Sequence, residues 1–180
     1  MEQKDLIMRK QQLLYRLSCL PKKIVAAHEV DNLAEFVLYE LCHPECLNLG
    51  KAAFFVDNPD FDCLRGIVGI SNEDHVHALD NQDVWQMHDI FSRTMKDSQF
   101  NSSVRAVSCP SLAKSGMSVD QEVARIMQML PLQSPAWCSF KTKHGNRGIL
   151  IFEQKLEDKA HIVEDHIVSG ASLLAFCPIF

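Results

Sequence analysis

Leu6, Leu13, Leu17 and Leu20 fall on one face of a helix, with Ile7 and Leu14 widening the stripe and Lys10 interrupting it. The pattern predicts a helix over residues 2–20 that Pro21 ends or kinks. Leu33, Phe36, Val37 and Tyr39–Leu41 predict a second helix, from Asp31 as N-cap to Leu41, stopped by His43-Pro44. The apolar run Lys51–Val56 (KAAFFV), bounded by Gly50 and Asp57-Asn58-Pro59-Asp60, reads as a strand and a tight turn. Cys63–Ser71 (CLRGIVGIS) is its natural antiparallel partner, and its two glycines weaken the strand or mark a bulge or a close backbone approach.

Helical spacing returns over Asp80–Ser98, with Val84, Met87, Ile90, Phe91 and Met95 on one side and Asp83 near the start. Ser103–Cys109 then alternates: Val104, Ala106 and Ser108 lie on one side and Arg105, Val107 and Cys109 on the other, which predicts a strand ended by Pro110. Ser111–Met117 is expected to be a loop. Ser118 and Gln121 form a capping-box pattern that opens a helix carrying Val119, Val123, Ile126, Met127 and Leu130, stopped before Pro131.

The segment SPAWCSFKTKHGNRGILIFEQ places two apolar runs, Ala136–Phe140 and Ile149–Phe152, around a basic, Gly-containing turn. A phosphate-binding loop requires glycines between a strand and a helix N-terminus. Here both flanks are strand-like, so a β-hairpin is expected, with Gly and Asn at positive φ and with His144 and Arg147 facing water. Gly148–Phe152 is apolar at consecutive positions, as in a strand covered on both faces. A last helix, Glu157–Phe176, carries Ala160, Val163, Ile167, Ala171 and Leu174 inward.

The order of elements predicts an α+β domain: a mainly antiparallel central sheet of about five or six strands with helices packed on it. An N-terminal helix over 1–22 precedes the domain proper, 23–180. Among 180 residues, 47% are apolar and 23% charged, the mixture of an ordinary globular chain. The net charge of −5 makes the whole surface a poor fit for nucleic acid or an anionic membrane. Charge is nonetheless lopsided in the first helix, where Arg9, Lys10, Arg16, Lys22 and Lys23 outweigh Glu2 and Asp5. No apolar run approaches the ~18–20 residues of a spanning helix, and the charged N-terminus lacks the apolar core of a signal peptide. Seven cysteines at irregular spacing, an odd number, point to reduced thiols in a cytoplasmic protein.

Together these segments resemble a GAF domain, the small-molecule sensory module of signalling proteins. The resemblance is carried by the helix Asn32–Leu41 leading into LGKAAFFVDNPDFDCLRGIVGIS, by the closing hairpin, and by a terminal helix ending SGASLLAF. It spans about residues 28–177. The related PAS fold shares much of this order. The resemblance implies N- and C-terminal helices side by side, a homodimer formed through them, and a ligand held between the sheet and its covering helices. It implies a non-enzymatic regulatory role, either sensing a ligand of unspecified identity or, with no ligand, serving as a dimerisation or partner-docking module. The chain is expected to be either a stand-alone module or one part of a longer signalling protein.

Candidate chemistry is sparse. Trp85, His88, Arg105, Cys109 and Trp137 are the candidate ligand-contacting residues, with Arg105 able to clamp a carboxylate or phosphate if it does not simply face solvent. His75 and His77 would face the same way in an extended segment, and His88 or Asp89 would complete a metal site; the alternative is a polar loop, and no known zinc spacing is present. Cys42-His43-Pro44-Glu45-Cys46 lacks the second pair that a structural zinc needs and is not C-x-x-C. Cys63, Cys109 and Cys138 on strands read as small apolar residues rather than as catalytic thiols. No P-loop, nucleophile elbow or H-E-x-x-H motif occurs.

Overall fold

The computed structural model describes residues 2–72, 84–154 and 164–178. Five antiparallel strands form one sheet in the order β3-β2-β1-β5-β4. Strands β1 (Leu49–Asn58) and β2 (Cys63–Ser71) are a hairpin, as are β4 (Ala136–Lys141) and β5 (Arg147–Gln154), while β3 is only Ser108–Cys109. Helices α1 (Glu2–Ala26), α2 (Leu33–Cys42), α3 (His88–Asp97) and α6 (Glu164–Ala171) contribute to the core on one face of the sheet. Helices α4 (Gln99–Ala106) and α5 (Val119–Met129) contribute to the core on the other. The α+β architecture expected from the sequence is therefore present, with five strands.

Alternation along β1 divides the two cores. Ala52, Phe54 and Val56 point to the α2 side, and Ala53 and Phe55 to the α5 side. Strand β5 is covered on both faces, and Gly148–Phe152 is fully buried. The first and last helices are neighbours: a Cβ on Gly170 of α6 would meet Leu41 of α2 and Leu17 of α1. Of the inward stripe expected on the last helix, Ile167, Ala171 and Leu174 are buried, and Ala160 and Val163 lie outside the described residues. That helix becomes a 3-10 turn over Ser172–Phe176.

Several sequence expectations are corrected. Of the two outcomes read for Pro21, an end is excluded: helix α1 runs through it to Ala26, because Leu13, Leu20 and Ile24 are buried on both sides of the proline and their packing outweighs one lost backbone bond. Asp31 is not the cap of α2. Asn32 occupies that position and makes no side-chain cap, since its amide donates to Glu35 Oε2 (3.0 Å) and Ser92 Oγ (2.6 Å). The helical segment after residue 80 is divided by Met87 into a 3-10 turn (Val84–Gln86) and α3, and Asp80–Asp83 lie outside the described residues. In the β4–β5 turn only Gly145 takes positive φ (+83°), so Asn146 does not share that role; His144 and Arg147 are exposed.

The largest correction concerns Ser103–Cys109. Gln99–Ala106 is helix, and only Ser108–Cys109 pairs with β2. Phe100, Val104 and Val107 recur at helical spacing and are buried, and Ser98 caps the helix by accepting from the Asn101 N–H (3.0 Å). Helix α4 lies against the two glycines of β2. A Cβ on Gly66 would come 1.9 Å from the Val104 carbonyl oxygen, and one on Gly69 would come 2.6 Å from Val104 Cγ2. The register of β1 with β2 shifts at Phe54/Phe55, so the bulge and the close approach read from these glycines are both present. Beyond short β3, the Gly69 N–H donates to Asn101 Oδ1 (2.9 Å) and the Gly66 N–H to the Val107 carbonyl (3.0 Å), which closes the sheet edge.

Gly66→Ala is expected to lower unfolding free energy by about 3 kcal/mol, because the new methyl meets backbone rather than a movable side chain. Urea denaturation measures it, and a loss under ~0.5 kcal/mol would show that α4 is not held against β2 in this way.

Candidate functional site

All ten residues of α2 are buried, including Glu35 and Glu40. Buried carboxylates require partners, and the surrounding elements supply them. Glu40 Oε1 accepts from Lys23 Nζ (2.5 Å) and Trp85 Nε1 (2.7 Å), and Glu40 Oε2 accepts from Arg16 Nη1 (3.0 Å). Arg16 also holds Glu45 Oε2 through Nε (3.0 Å) and Nη2 (2.6 Å). The Lys23 ammonium stands 5.4 Å over the Trp85 ring. Burial pushes the Glu40 carboxyl up, but the bonds and charges of Lys23, Trp85 and Arg16 outweigh it and hold the group below its ordinary 4.5.

Glu35 has the opposite balance. Its Oε1 accepts from Arg105 Nη2 (2.6 Å), an arginine half exposed to solvent. Burial dominates and lifts the carboxyl above its ordinary value, while Asn32, Arg105 and Lys96 pull it back only in part.

Aromatic rings occupy the layer between α2 and α3. Phe36 meets Phe91 at 4.4 Å, His88 at 5.1 Å and Trp85 at 5.3 Å between centroids, and Tyr39 meets Phe91 edge-on at 5.3 Å. Phe36, Phe91 and Met95 are wholly buried.

The five candidate residues are thus divided among three places. Trp85 and His88 both touch Phe36 on the α2 side. Arg105 sits on α4 and engages Glu35. Cys109 and Trp137 pack against the core on the α5 side. Of the metal candidates, Asp74, His75 and His77 lie outside the described residues; among the described residues no cluster of three His, Cys, Asp or Glu is placed to hold a metal.

Sequence reading missed Glu122 of α5. It is 1% exposed and paired with Arg125, whose Nε donates at 3.0 Å, while its Oε2 has no hydrogen-bond partner among the described residues. It stands beside Cys109. Burial, and then the Glu122 carboxylate, raise the Cys109 thiol, with Arg125 opposing. Such a thiol is protonated at neutral pH and is a poor nucleophile. The available signal was its spacing: three residues after Val119 and four before Ile126, Glu122 shares the face of the buried Val123 and Ile126. Cys42, Cys46 and Cys177 are buried, and burial pushes Cys46 and Cys177 up to about 12.

Compared with protein-family models, with curated proteins and with solved structures, the chain finds no match.

Glu40→Gln is expected to cost about 2 kcal/mol at pH 7, because Lys23 and Arg16 lose a buried counter-charge. The Glu40 contribution is present above pH 4.5 and is lost as pH falls through the lowered folded-state value, so the difference shrinks in acid. For Glu35 the sign reverses: its raised value makes ionisation a cost at neutral pH, relieved as pH falls toward 4.5. Relative to wild type, Glu35→Gln should therefore look more favourable at pH 7 than at pH 4, with a net effect within ~1 kcal/mol. Urea titrations of both variants across pH 3.5–7 check the two opposite slopes.

Thiol labelling of the native chain should leave Cys42, Cys46 and Cys177 unmodified until unfolding. Glu122→Gln should accelerate alkylation of Cys109 by about threefold or more, read by peptide mass spectrometry.

Proposed function

We propose that this chain is a GAF-like, non-enzymatic regulatory domain that acts by docking a partner rather than by holding a small molecule. The observation that supports this most directly is the engagement of two of the candidate ligand-contacting residues, Trp85 and Arg105. Trp85 is bonded to Glu40, Arg105 is paired with Glu35, and Phe36, Phe91 and Met95 occupy the layer beneath α3. A ligand entering there would have to displace buried rings and break two ion-pair systems. The raised thiol of Cys109 argues in the same direction against thiol catalysis. Helix α1, seated on α2 by Arg16 and Lys23, is the element through which the domain would present itself to others. A cytoplasmic setting fits seven cysteines of which none forms a disulfide, and no helix among the described residues is long and apolar enough to cross a membrane.

Native mass spectrometry of the purified chain should give the apo mass. A thermal-shift screen of cyclic nucleotides, haem, bilins and common metabolites should move Tm by less than ~1 °C. A retained small molecule, or a stabilisation of several degrees at about 100 times Kd, would overturn docking in favour of sensing.

A further inference from the structure

Among the described residues, the outer face of α1 carries a group of exposed large hydrophobic side chains. Ile7 (53% exposed), Met8 (56%), Leu14 (46%), Tyr15 (71%) and Val25 (72%) all lie open, opposite the buried stripe of Leu13, Leu20 and Ile24. At 3.6 residues per turn, Ile7, Leu14 and Val25 run along one flank of this face and Met8 and Tyr15 along the other. Lys4 and Lys22 stand on the line between them, five turns apart.

Charge says what can cover this face. Six basic residues against two acidic ones give residues 2–26 a charge of +4, so the remainder of the chain carries −9 of its total −5. The exclusion of anionic membranes from net charge therefore does not apply to α1. Arg16 and Lys23 turn inward to Glu40 and Glu45. Lys4, Lys10 and Lys22 are exposed and have no ion-pair partner among the described residues. The two acids of the helix, Glu2 and Asp5, fall off the line of Lys4 and Lys22.

A second copy of α1 is a poor occupant. Parallel pairing through this face sets Lys4 against Lys4 and Lys22 against Lys22, and antiparallel pairing sets Lys4 against Lys22. Every such juxtaposition is like-charged. The homodimer implied by the GAF resemblance is therefore not expected to use this face.

We infer that the outer face of α1 is a peripheral docking surface for an anionic phospholipid bilayer. This rests on the reading of α1 as the docking element. Leu13, Leu20 and Ile24 bed the C-terminal half of α1 on the domain, and the open face carries exposed apolar side chains at Ile7, Met8, Leu14, Tyr15 and Val25, spread over about 27 Å on either side of a polar line through Lys4, Gln11, Ser18 and Lys22. A bilayer interface accepts such a face without needing a complementary groove. Tyr15 suits the headgroup boundary, with an apolar ring and a polar tip. Lys4 and Lys22 reach lipid phosphates from the ends of this face by extending their stems. The acidic body sits behind a helix about 10 Å thick, so its charges act on the bilayer from further away than Lys4 and Lys22 do and repel less than these attract.

The test is flotation of the full chain with vesicles of phosphatidylcholine alone or with about 30% phosphatidylserine, at 50 and 500 mM NaCl. Binding is expected only to the anionic vesicles at low salt. The double variant K4E/K22E should weaken it by about tenfold or more, and Leu14→Ser with Tyr15→Ser should also weaken it. Both variants change exposed positions, so their urea midpoints should match wild type. No binding to anionic vesicles at 50 mM NaCl, or binding that K4E/K22E leaves unchanged, would overturn the inference, as would a sedimentation dimer abolished by Leu14→Ser. A ligand found in the thermal-shift screen would defeat the docking reading without touching vesicle binding, so the two failures are distinguishable.

Discussion

The burial of α2 on every side imposes most of the remaining structure. A helix sealed from water cannot carry two carboxylates unless cations or donors reach them. Glu35 and Glu40 are five residues apart, so they point to different sides of α2 and draw on different neighbours. Glu40 collects Arg16 and Lys23 from α1 and Trp85 from the turn before α3. Glu35 collects Asn32 from its own N-terminus and Arg105 from α4. The seating of three outer elements is thereby tied to one central helix. The two sites differ in balance: at Glu40 the partners outweigh burial, and at Glu35 burial outweighs the partners.

A second constraint operates at the opposite edge. Strand β2 spends two positions on glycine so that α4 can lie against its backbone, and Asn101 and Val107 then satisfy N–H groups that two-residue β3 leaves open. Arg105 can reach Glu35 only because this segment is helical. The same packing that protects the sheet edge therefore completes the charge pairing of α2.

These two constraints engage Trp85 and Arg105, two of the residues a ligand site would use. Among the described residues, buried polar atoms without a hydrogen-bond partner include Glu122 Oε2, beside a thiol held in its protonated form, and His88 Nε2 in the layer between α2 and α3.

Local periodicity determined much of this protein from sequence alone. Both hairpins, the α5 capping box, the buried strand Gly148–Phe152 and the apolar face of α2 follow from residues within a few positions of one another, where the 3.6- and 2-residue periods act directly. On α1 the period predicts the helix but not its buried side, since Leu6, Ile7 and Leu14 of the expected stripe are exposed while Leu13, Leu20 and Ile24 are buried. The candidate site was far less legible. Ser103–Cys109 satisfies an alternating pattern and, with Phe100, a helical one, and only the glycines of β2 and the cap at Ser98 select the helix. Pro21 lies inside α1 because Leu20 and Ile24 find a core that the local sequence does not display. The partners of Glu40 lie 24, 17 and 45 residues away and that of Glu35 lies 70 away. No local rule pairs residues at such distances; Arg16, Lys23 and Trp85 meet Glu40 because their elements cover the same face of the sheet as α2, while Arg105 comes to Glu35 from α4, which packs on the other face.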